Sequence, residues 1–358
     1  MTRRTLIIAE AGVNHNGSRE LALQLVDTAA EAGADVVKFQ SFRAADLATA
    51  NAPKAAYQAA NTEGSGSQLA MLRELELSSS DQAVLRDRCR ERSIGFMSTA
   101  FDATSLAFLA TLEPPAFKIP SGDITCAPLL LQAGRLRKPL IVSTGMSTLA
   151  EVEQALGVIA YGLMSDGEPR STADFADAFR DPLGRRVLER YVTLLHCVTA
   201  YPAPPEAVNL RAMDTLASIF GLAVGYSDHT LGTEVALAAV ARGACVIEKH
   251  YTLDRSLPGP DHLASLEPAE LGSLVAGIRR VEQALGSTVK APAPQELPNL
   301  PLARRSLVAA RRIRKGEVFT AEMLAAKRPG TGISPMEIWS LVGVPANREY
   351  AADEQIER

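Results

Sequence analysis

Short runs of β-branched and apolar residues alternate with longer amphipathic or Ala/Leu-rich segments through the first 285 residues. This alternation is typical of repeated βα units around a parallel sheet. Strands are predicted at 5–9, 35–39, 94–98, 116–119, 139–143, 191–196, 222–225 and 245–249. Helices are predicted after them, at 19–32, 79–93, 102–111, 126–136, 148–161, 209–220, 231–242 and 267–285. Eight such units predict a closed (β/α)8 (TIM) barrel rather than an open doubly wound sheet, since no GxGxxG follows the first strand.

The βα pattern stops after Leu285, and two segments interrupt it earlier. We expect residues 41–78 to form a structured loop over the barrel mouth, and the polar residues 162–190 to form solvated surface. The proline-rich stretch 290–301 favours a semi-rigid linker. The tail has short apolar runs and the turn signals RKGE and RPGTG, so it predicts a small β-rich domain. The domains expected are a barrel at 1–288, a linker at 289–303 and a tail domain at 304–358.

Composition excludes several classes of protein. The chain has 358 residues, of which 47% are hydrophobic and 22% charged, proportions that allow a large core and give no case for disorder. A net charge of −4 provides no general attraction for nucleic acid or an anionic membrane. The four cysteines are widely spaced, and the apolar run before Glu10 is too short for a secretion signal. We therefore expect a cytoplasmic protein that binds neither nucleic acid nor membrane.

Polar residues concentrate where the predicted strands end. In a (β/α)8 barrel the carboxyl ends of all strands meet at one face, which carries the active site. The residues that end or follow the strands include Glu10, Lys38, Gln40, Thr99, Lys118, Ser121, Asp123, Ser143, Thr199, Tyr201, Ser227, Asp228, His229, Glu248, His250 and Asp261. The other three histidines of the chain, His15, His196 and His262, also follow or end predicted strands. One polar cavity at the barrel mouth is the prediction.

Two lysines are predicted to point into this cavity. Strand alternation in DVVKFQ places Lys38 and Gln40 on the inner face, and Lys118 lies between two outward apolar residues. Two poorly solvated ammonium groups lower each other's pKa or require an anion. A phosphate or carboxylate ligand would meet this requirement, and pairing with inward carboxylates such as Glu10 or Asp123 is the alternative.

Two histidines end neighbouring strands and are candidates for a metal site. His229 and His250 could approach one divalent ion, with Glu10, Asp228 or Asp261 and water completing its shell. Neutral, hydrogen-bonded histidines are the alternative. The other three histidines are interpreted as structural.

The motifs around these residues resemble those of the sialic acid synthase family, which condenses phosphoenolpyruvate with an N-acyl amino sugar. They are IIAEAGVNHNGS, ADVVKFQ, STAFD, KIPSGDI, STGM, HCVTAYPAP, GYSDHTLG, EKHYTLDRSLPGPDHLASLEP, KGEVF and KRPGTGISPME. The resemblance covers nearly the whole chain. It implies a TIM barrel followed by a C-terminal antifreeze-like (SAF, β-clip) domain, in a homodimer whose subunits exchange that domain.

The resemblance also implies roles for individual residues. Phosphoenolpyruvate would be surrounded by Lys38, Thr99, Lys118, Ser121, Ser143, Tyr201 and Ser227. His229 and His250 would hold a divalent metal, Mn²⁺ first and Mg²⁺ or Co²⁺ as alternatives. The open-chain sugar would be oriented, and protons moved, by Glu10, Gln40, Asp123, Tyr201 and Asp261, and Arg328 would reach the sugar from the partner subunit.

Two positions depart from the commonest family pattern and bear on the choice of sugar. Asp123 stands where many members have Glu, and Thr199, also expected at the substrate, stands where many have Asn. The activity expected first is N-acetylneuraminate synthase, a transferase that releases phosphate by C–O cleavage. The alternative is a legionaminate synthase acting on 2,4-diacetamido-2,4,6-trideoxymannose, and a metal-dependent barrel hydrolase or lyase is more distant.

Overall fold

Eight parallel strands close into a barrel in the computed structural model, which describes residues 4–62 and 66–358. They are β1 (Leu6–Gly12), β2 (Val36–Ser41), β3 (Gly95–Ala100), β4 (Phe117–Ile119), β5 (Leu140–Ser143), β6 (Val192–Cys197), β7 (Ala223–Asp228) and β8 (Val246–His250). Each strand pairs with the next along the chain, and β8 pairs with β1. The predicted TIM barrel is confirmed.

Helices follow the strands and surround the barrel. The α-helices of this unit are α1 (Arg19–Glu31), α2 (Ala44–Leu47), α3 (Ala56–Asn61), α4 (Gln68–Leu75), α5 (Ser79–Glu91), α6 (Ala103–Thr111), α7 (Ala127–Arg135), α8 (Leu149–Met164), α9 (Thr172–Arg180), α10 (Pro182–Tyr191), α11 (Pro205–Val208), α12 (Ala212–Phe220), α13 (Glu234–Ala241) and α14 (Pro268–Leu285). Within the described ranges, no helix combines the length and the apolar content that a bilayer crossing requires.

The barrel interior changes from apolar to polar along its axis. Residues early in the strands, including Ile8, Val36 and Met97, form a buried apolar cluster inside the barrel. Two residues further along the same strands, Glu10 and Lys38 occupy the inner face. Outward residues pack against the helices instead. The apolar layer therefore closes one end of the barrel and leaves the carboxyl ends of the strands to form a polar cavity.

The first insertion is structured, as predicted. Its helices α2 and α4 bury apolar side chains against the loops that follow β1 and β3. Ser67 caps the start of α4 by accepting a hydrogen bond from Ala70 N. Residues 63–65, which also belong to the predicted loop, lie outside the described residues.

The second insertion differs from the prediction of solvated surface. Helix α8 continues to Met164, and α9 and α10 follow it. Phe179 and Leu188 are buried, whereas the charged residues of both helices other than Asp174 are exposed. The many Arg and Asp residues concealed an apolar stripe at helical spacing, which is why this segment packs against the barrel layer.

The residues after Gly286 form a second compact unit. Its antiparallel strands are β9 (Ser306–Ala309) and β10 (Leu324–Lys327), and its core includes Phe319 and Tyr350. The expected β-rich tail domain is therefore confirmed. The proline-rich segment before it is more regular than a linker, because it forms a 3₁₀ turn at Pro294–Asn299 and the short helix α15 (Leu300–Ala303). A further short helix, α16 (Ile338–Leu341), lies within the tail.

Candidate active site

A cavity of about 320 Å³ opens at the carboxyl ends of the barrel strands. Its lining includes Glu10, Lys38, Gln40, Thr99, Lys118, Ser121, Asp123, Ser143, Thr199, Tyr201, Ser227, His229, His250 and Asp261. The strand register explains this convergence, because Thr99 is paired with Lys118 and Ser227 with Glu248 at matching heights. The structure thus brings together the predicted site residues of the barrel except Asp228, which is absent from this lining.

Both predicted lysines are buried and face carboxylates. Lys38 Nζ lies 2.6 Å from Glu10 Oε2 and 3.6 Å from Glu248 Oε2. Lys118 Nζ lies 3.5 Å from Glu248 Oε1. The alternative of internal pairing is therefore realised, but the second partner is Glu248 rather than Asp123. Sequence alternation identified the inward lysines, whereas their cross-barrel partner depends on how the sheet closes.

Hydroxyl groups complete this charged cluster. Lys38 donates to Thr99 Oγ1 over 2.8 Å, and Lys118 donates to Ser143 Oγ over 2.7 Å. Ser227 donates to Glu248 Oε1 over 2.8 Å. Each ammonium group therefore has at least one short partner, and the hydroxyl oxygens position both groups at the floor of the cavity.

The two carboxyls of the cluster differ in their acidity. Burial raises the pKa of Glu10 to about 7, although the Lys38 ammonium opposes this change. Burial also disfavours charge on Glu248, but the Lys118 and Lys38 ammonium groups outweigh it and lower the pKa of Glu248 to about 2. When Glu10 is protonated, Glu248 is the one negative charge in a cluster that contains the ammonium groups of Lys38 and Lys118. Such a cluster can receive an anion.

Two imidazoles and a phenol ring form one side of the cavity. The ring centres of His229 and His250 are 5.6 Å apart, and those of Tyr201 and His229 are 4.2 Å apart. His229 Nδ1 is 2.7 Å from Val198 O, an arrangement that places the proton on Nδ1. The Nε2 lone pair of His229 then faces the cavity, since the Ser227 proton is donated to Glu248. Burial lowers the pKa of both histidines, so both rings are neutral.

The surroundings of these two histidines bear on whether they can hold a divalent metal. A neutral imidazole oriented through its other nitrogen by a backbone carbonyl is a common metal ligand, and His250 Nδ1 is buried without a hydrogen-bond partner. Among residues 4–62 and 66–358, no group of three or more His, Cys, Asp or Glu converges as ligands. Asp228, one expected third ligand, turns outward to Lys249. The residues fit an ion held by two imidazoles, with water and substrate at the open positions.

Two further carboxylates line the cavity away from the lysines. Burial raises the pKa of Asp123 to about 6, and it does the same for Asp261. Both groups therefore change charge close to physiological pH, a property of residues that move protons.

Tyr57, on α3 of the first insertion, was missed by the sequence analysis. Its ring centre lies 5.0 Å from that of Tyr201, and it lines the cavity. Its position as the aromatic residue of an Ala-rich stretch was the available signal. The insertion therefore contributes directly to the site.

Ser121 is closely packed against Gly145 and Cys197. Its Oγ accepts a hydrogen bond from Gly145 N over 3.0 Å and lies 3.1 Å from Cys197 Sγ. A Cβ at Gly145 would stand 2.5 Å from Thr199 Oγ1, so a glycine is required for these side chains to approach. Cys197, another residue missed as part of the site, thus helps to hold Ser121.

The remaining predicted residues lie elsewhere. Arg328 belongs to the C-terminal unit, where its Nε donates to Ala303 O over 2.9 Å, and its role stays a prediction. The three other histidines bond to neighbouring protein groups: His15 to Gly17 N, His196 to Val208 O and His262 to Thr252 Oγ1.

Comparison with known proteins gives two family matches and several relatives. The model of the NeuB family matches residues 25–290, and that of the SAF domain matches residues 304–357. The chain is 46% identical over 354 residues to the N,N'-diacetyllegionaminic acid synthase of Campylobacter jejuni, covering 99% of each. It is 48% identical over 337 residues to the protein of that name from Legionella pneumophila, covering 94% of this chain and 89% of the relative.

A solved structure shows a similar architecture. The N-acetylneuraminic acid synthetase of Leptospira borgpetersenii, crystallised with citrate, aligns with a TM-score of 0.66 and 32% identity. The alignment covers 83% of this chain and 90% of that one. The chain therefore belongs to the NeuB family, whose members are phosphoenolpyruvate-dependent sialic acid-type (nonulosonic acid) synthases.

Proposed function

We propose that this protein condenses phosphoenolpyruvate with 2,4-diacetamido-2,4,6-trideoxymannose and water, giving N,N'-diacetyllegionaminic acid and phosphate. The observation that carries this choice is the identity of 46% and 48% to two synthases of that name, against 32% to the N-acetylneuraminic acid synthetase. It reverses the order expected from the sequence, where N-acetylneuraminate came first. The motifs that indicated the family surround the reacting atoms, which all its members share. They therefore do not indicate which substituents the sugar carries at carbons 4 and 6.

Phosphoenolpyruvate binds at the charged cluster on the cavity floor. Its phosphate and carboxylate face Lys38 and Lys118, whose hydroxyl partners Thr99 and Ser143 are placed to bond the same oxygens. The internal carboxylates hold these lysines in position before the substrate arrives. When Glu10 is protonated, an anionic substrate restores charge balance around the ammonium groups.

The sugar aldehyde lies beside the two neutral imidazoles. His229 and His250 would hold a divalent metal, Mn²⁺ or alternatively Mg²⁺ or Co²⁺, which when bound supplies a Lewis acid for the aldehyde oxygen. Tyr201 packs against His229 and restricts the orientation of its ring. The imidazoles thus define the side of the cavity on which the new C–C bond forms.

The chemistry joins carbon 3 of phosphoenolpyruvate to the aldehyde carbon, and water adds at carbon 2. The tetrahedral adduct then loses phosphate by cleavage of its C–O bond. Glu10 and Asp261 would take the proton of the water and return it to the departing or newly formed oxygen, since burial raises the pKa of each carboxyl toward neutrality. Gln40 and Asp123, also in the lining, orient the hydroxyl groups of the sugar.

We further propose that Arg328 completes the site from the partner subunit of a domain-exchanged homodimer. This role comes from the family resemblance. The guanidinium of Arg328 is exposed, and its one hydrogen bond to the described residues is made by Nε, so its other N–H groups remain donors for an N-acyl oxygen.

The function is tested by measuring phosphate release from phosphoenolpyruvate with each sugar in turn. The sugars are 2,4-diacetamido-2,4,6-trideoxymannose, N-acetylmannosamine and its 6-phosphate, each with and without a chelator. We expect the highest kcat/KM with the diacetamido sugar. A higher kcat/KM with N-acetylmannosamine would return the assignment to N-acetylneuraminate synthase.

A further inference from the structure

The cavity has an apolar layer above its charged floor. Phe101 lies two residues beyond Thr99 along β3 and its loop, and Val13 lies three residues beyond Glu10, so both stand nearer the mouth. Helices α2 and α4 add Leu47, Met71, Leu72 and Leu75 to the cavity lining. These side chains belong to one hydrophobic cluster that is separate from the barrel core. We call the six residues Val13, Leu47, Met71, Leu72, Leu75 and Phe101 the apolar wall.

The chemistry on the floor decides which end of the sugar meets this wall. The aldehyde carbon must touch phosphoenolpyruvate, which the two buried lysines hold at the floor. Carbon 6 is the sugar carbon furthest from the aldehyde in the open chain. An extended sugar therefore carries carbon 6 away from the lysines and toward the mouth, where the insertion helices close over the cavity.

We propose that the apolar wall receives the 6-deoxy end of the sugar and selects against a hydroxyl at carbon 6. This inference rests on the proposed function, because it assumes a nonulosonate synthase with the aldehyde at the floor. Beyond that function, the inference names the residues that set specificity. The chemical feature that they recognise is a methyl group in place of a hydroxymethyl group at carbon 6.

Polar groups in this part of the lining leave few partners for a hydroxyl. Gln58 has its Oε1 committed to Ala55 N over 3.0 Å, at the start of α3. Gln68 begins α4, is half-buried and also lines the cavity. Met71, Leu72 and Leu75 are 6%, 9% and 7% exposed, so a hydroxyl placed against them loses water without gaining a partner.

The size of the effect follows from apolar recognition in general. A pocket that gains or loses one methyl-sized contact discriminates by about 10–200-fold in kcat/KM. We therefore expect the unmodified protein to favour N-acetyl-6-deoxymannosamine over N-acetylmannosamine within that range. These two sugars differ only in the oxygen at carbon 6. The ratio of their kcat/KM values therefore measures the preference that is proposed for the apolar wall.

The test compares this ratio in the unmodified protein, Met71→Gln and Met71→Leu. Glutamine has a similar length to methionine and supplies an amide, so Met71→Gln should reduce the preference for the 6-deoxy sugar at least several-fold. Met71→Leu keeps an apolar side chain and should retain the preference. KM for phosphoenolpyruvate should remain unchanged in both variants, because the wall lies outside the charged cluster.

Two outcomes would overturn the proposal. One is an unmodified protein that uses both sugars equally well, a result that needs no variant to fold. The other is a ratio of kcat/KM for the two sugars that stays unchanged in Met71→Gln and in Leu75→Gln, when circular dichroism shows that both variants are folded. A failure of the proposed function is seen separately, as lack of turnover with 2,4-diacetamido-2,4,6-trideoxymannose in the unmodified protein.

Discussion

Lys249 donates a hydrogen bond to Asp228 Oδ2 over 2.8 Å, and both side chains are excluded from solvent. Asp228 Oδ1 also accepts from the backbone N–H and the hydroxyl of Thr230. Since neighbouring residues of a strand face opposite sides, this ion pair lies outside the barrel, directly behind His229 and His250. It connects β7 to β8 and closes the turn that carries His229.

Breaking this ion pair should destabilise the barrel and disturb the histidines. Asp228→Asn or Lys249→Met leaves one buried charge without its partner, which costs about 3–5 kcal/mol. The double variant should lose less than the sum of the two single losses, because it leaves no unpaired charge. Urea unfolding measures these losses. Additive losses in the double variant would show that the two side chains act independently.

Removing Lys118 should weaken binding of the anionic substrate. Lys118→Ala deletes a charged hydrogen-bond donor worth about 1.5–3 kcal/mol, so KM for phosphoenolpyruvate should rise about 10–100-fold. KM for the sugar should change much less. Lys138→Ala is the matched control, since that lysine is exposed in the loop that precedes β5, at the opposite end of the strand from Ser143. Equal changes in both KM values would contradict anion binding at Lys118.

The pH dependence of activity should contain a step from Asp261. Burial raises its pKa to about 6, so its carboxylate form is lost as pH falls through 6. If this carboxylate accepts a proton from water, kcat/KM should decline below pH 6. The decline should be smaller in the residual activity of Asp261→Asn, in which Asp123 still changes charge in the same range. A profile of unchanged shape in that variant would assign the step to another group.

The same burial should reduce stability at neutral pH. The folded pKa of Asp261 is raised from the ordinary 3.8 to about 6, so the unfolded chain loses its proton first as pH rises. Stability is therefore lost between about pH 4 and 6, and this loss persists at higher pH. Asp261→Asn should gain about 2–3 kcal/mol at pH 8 and little at pH 4. Denaturant midpoints at the two pH values provide the measurement.

Metal binding should require the two imidazoles in the cavity. A chelator should abolish activity and added Mn²⁺ should restore it, whereas His250→Ala should stay inactive with any divalent metal. Titration calorimetry with Mn²⁺ provides a readout that does not depend on turnover. His196→Gln is the control, because His196 bonds to Val208 O away from His229 and His250. Full activity of His250→Ala would remove the metal assignment.

A site shared between subunits can be tested by mixing two inactive variants. Lys118→Ala damages the barrel cavity, and Arg328→Ala damages the contribution expected from the other subunit. Refolding the two variants together should regenerate intact sites in the mixed dimers and restore part of the activity. Activity no higher than the sum of the separate variants would place Arg328 outside the site of the partner.

The sequence predicted the elements that depend on local patterning. A strand exposes alternate residues to opposite faces, so DVVKFQ was sufficient to place Lys38 and Gln40 inside the barrel. The prediction for segment 162–190 was wrong because its apolar residues recur at helical spacing among many charged ones. Tyr57 and the apolar wall were not predicted, since they lie in an insertion whose helices reach the cavity only through tertiary packing.

The sequence by itself therefore determined the barrel, the lysines and histidines at its mouth, and the family whose motifs carry them. Tertiary structure decided which of these groups meet. Lys118 pairs with Glu248 rather than with Asp123, and Asp228 pairs with Lys249 rather than lying in the cavity as a metal ligand. The physical reason is that periodicity along a strand specifies the face on which a side chain lies. Its partner is specified by the closure and register of the sheet, which join residues far apart in the chain.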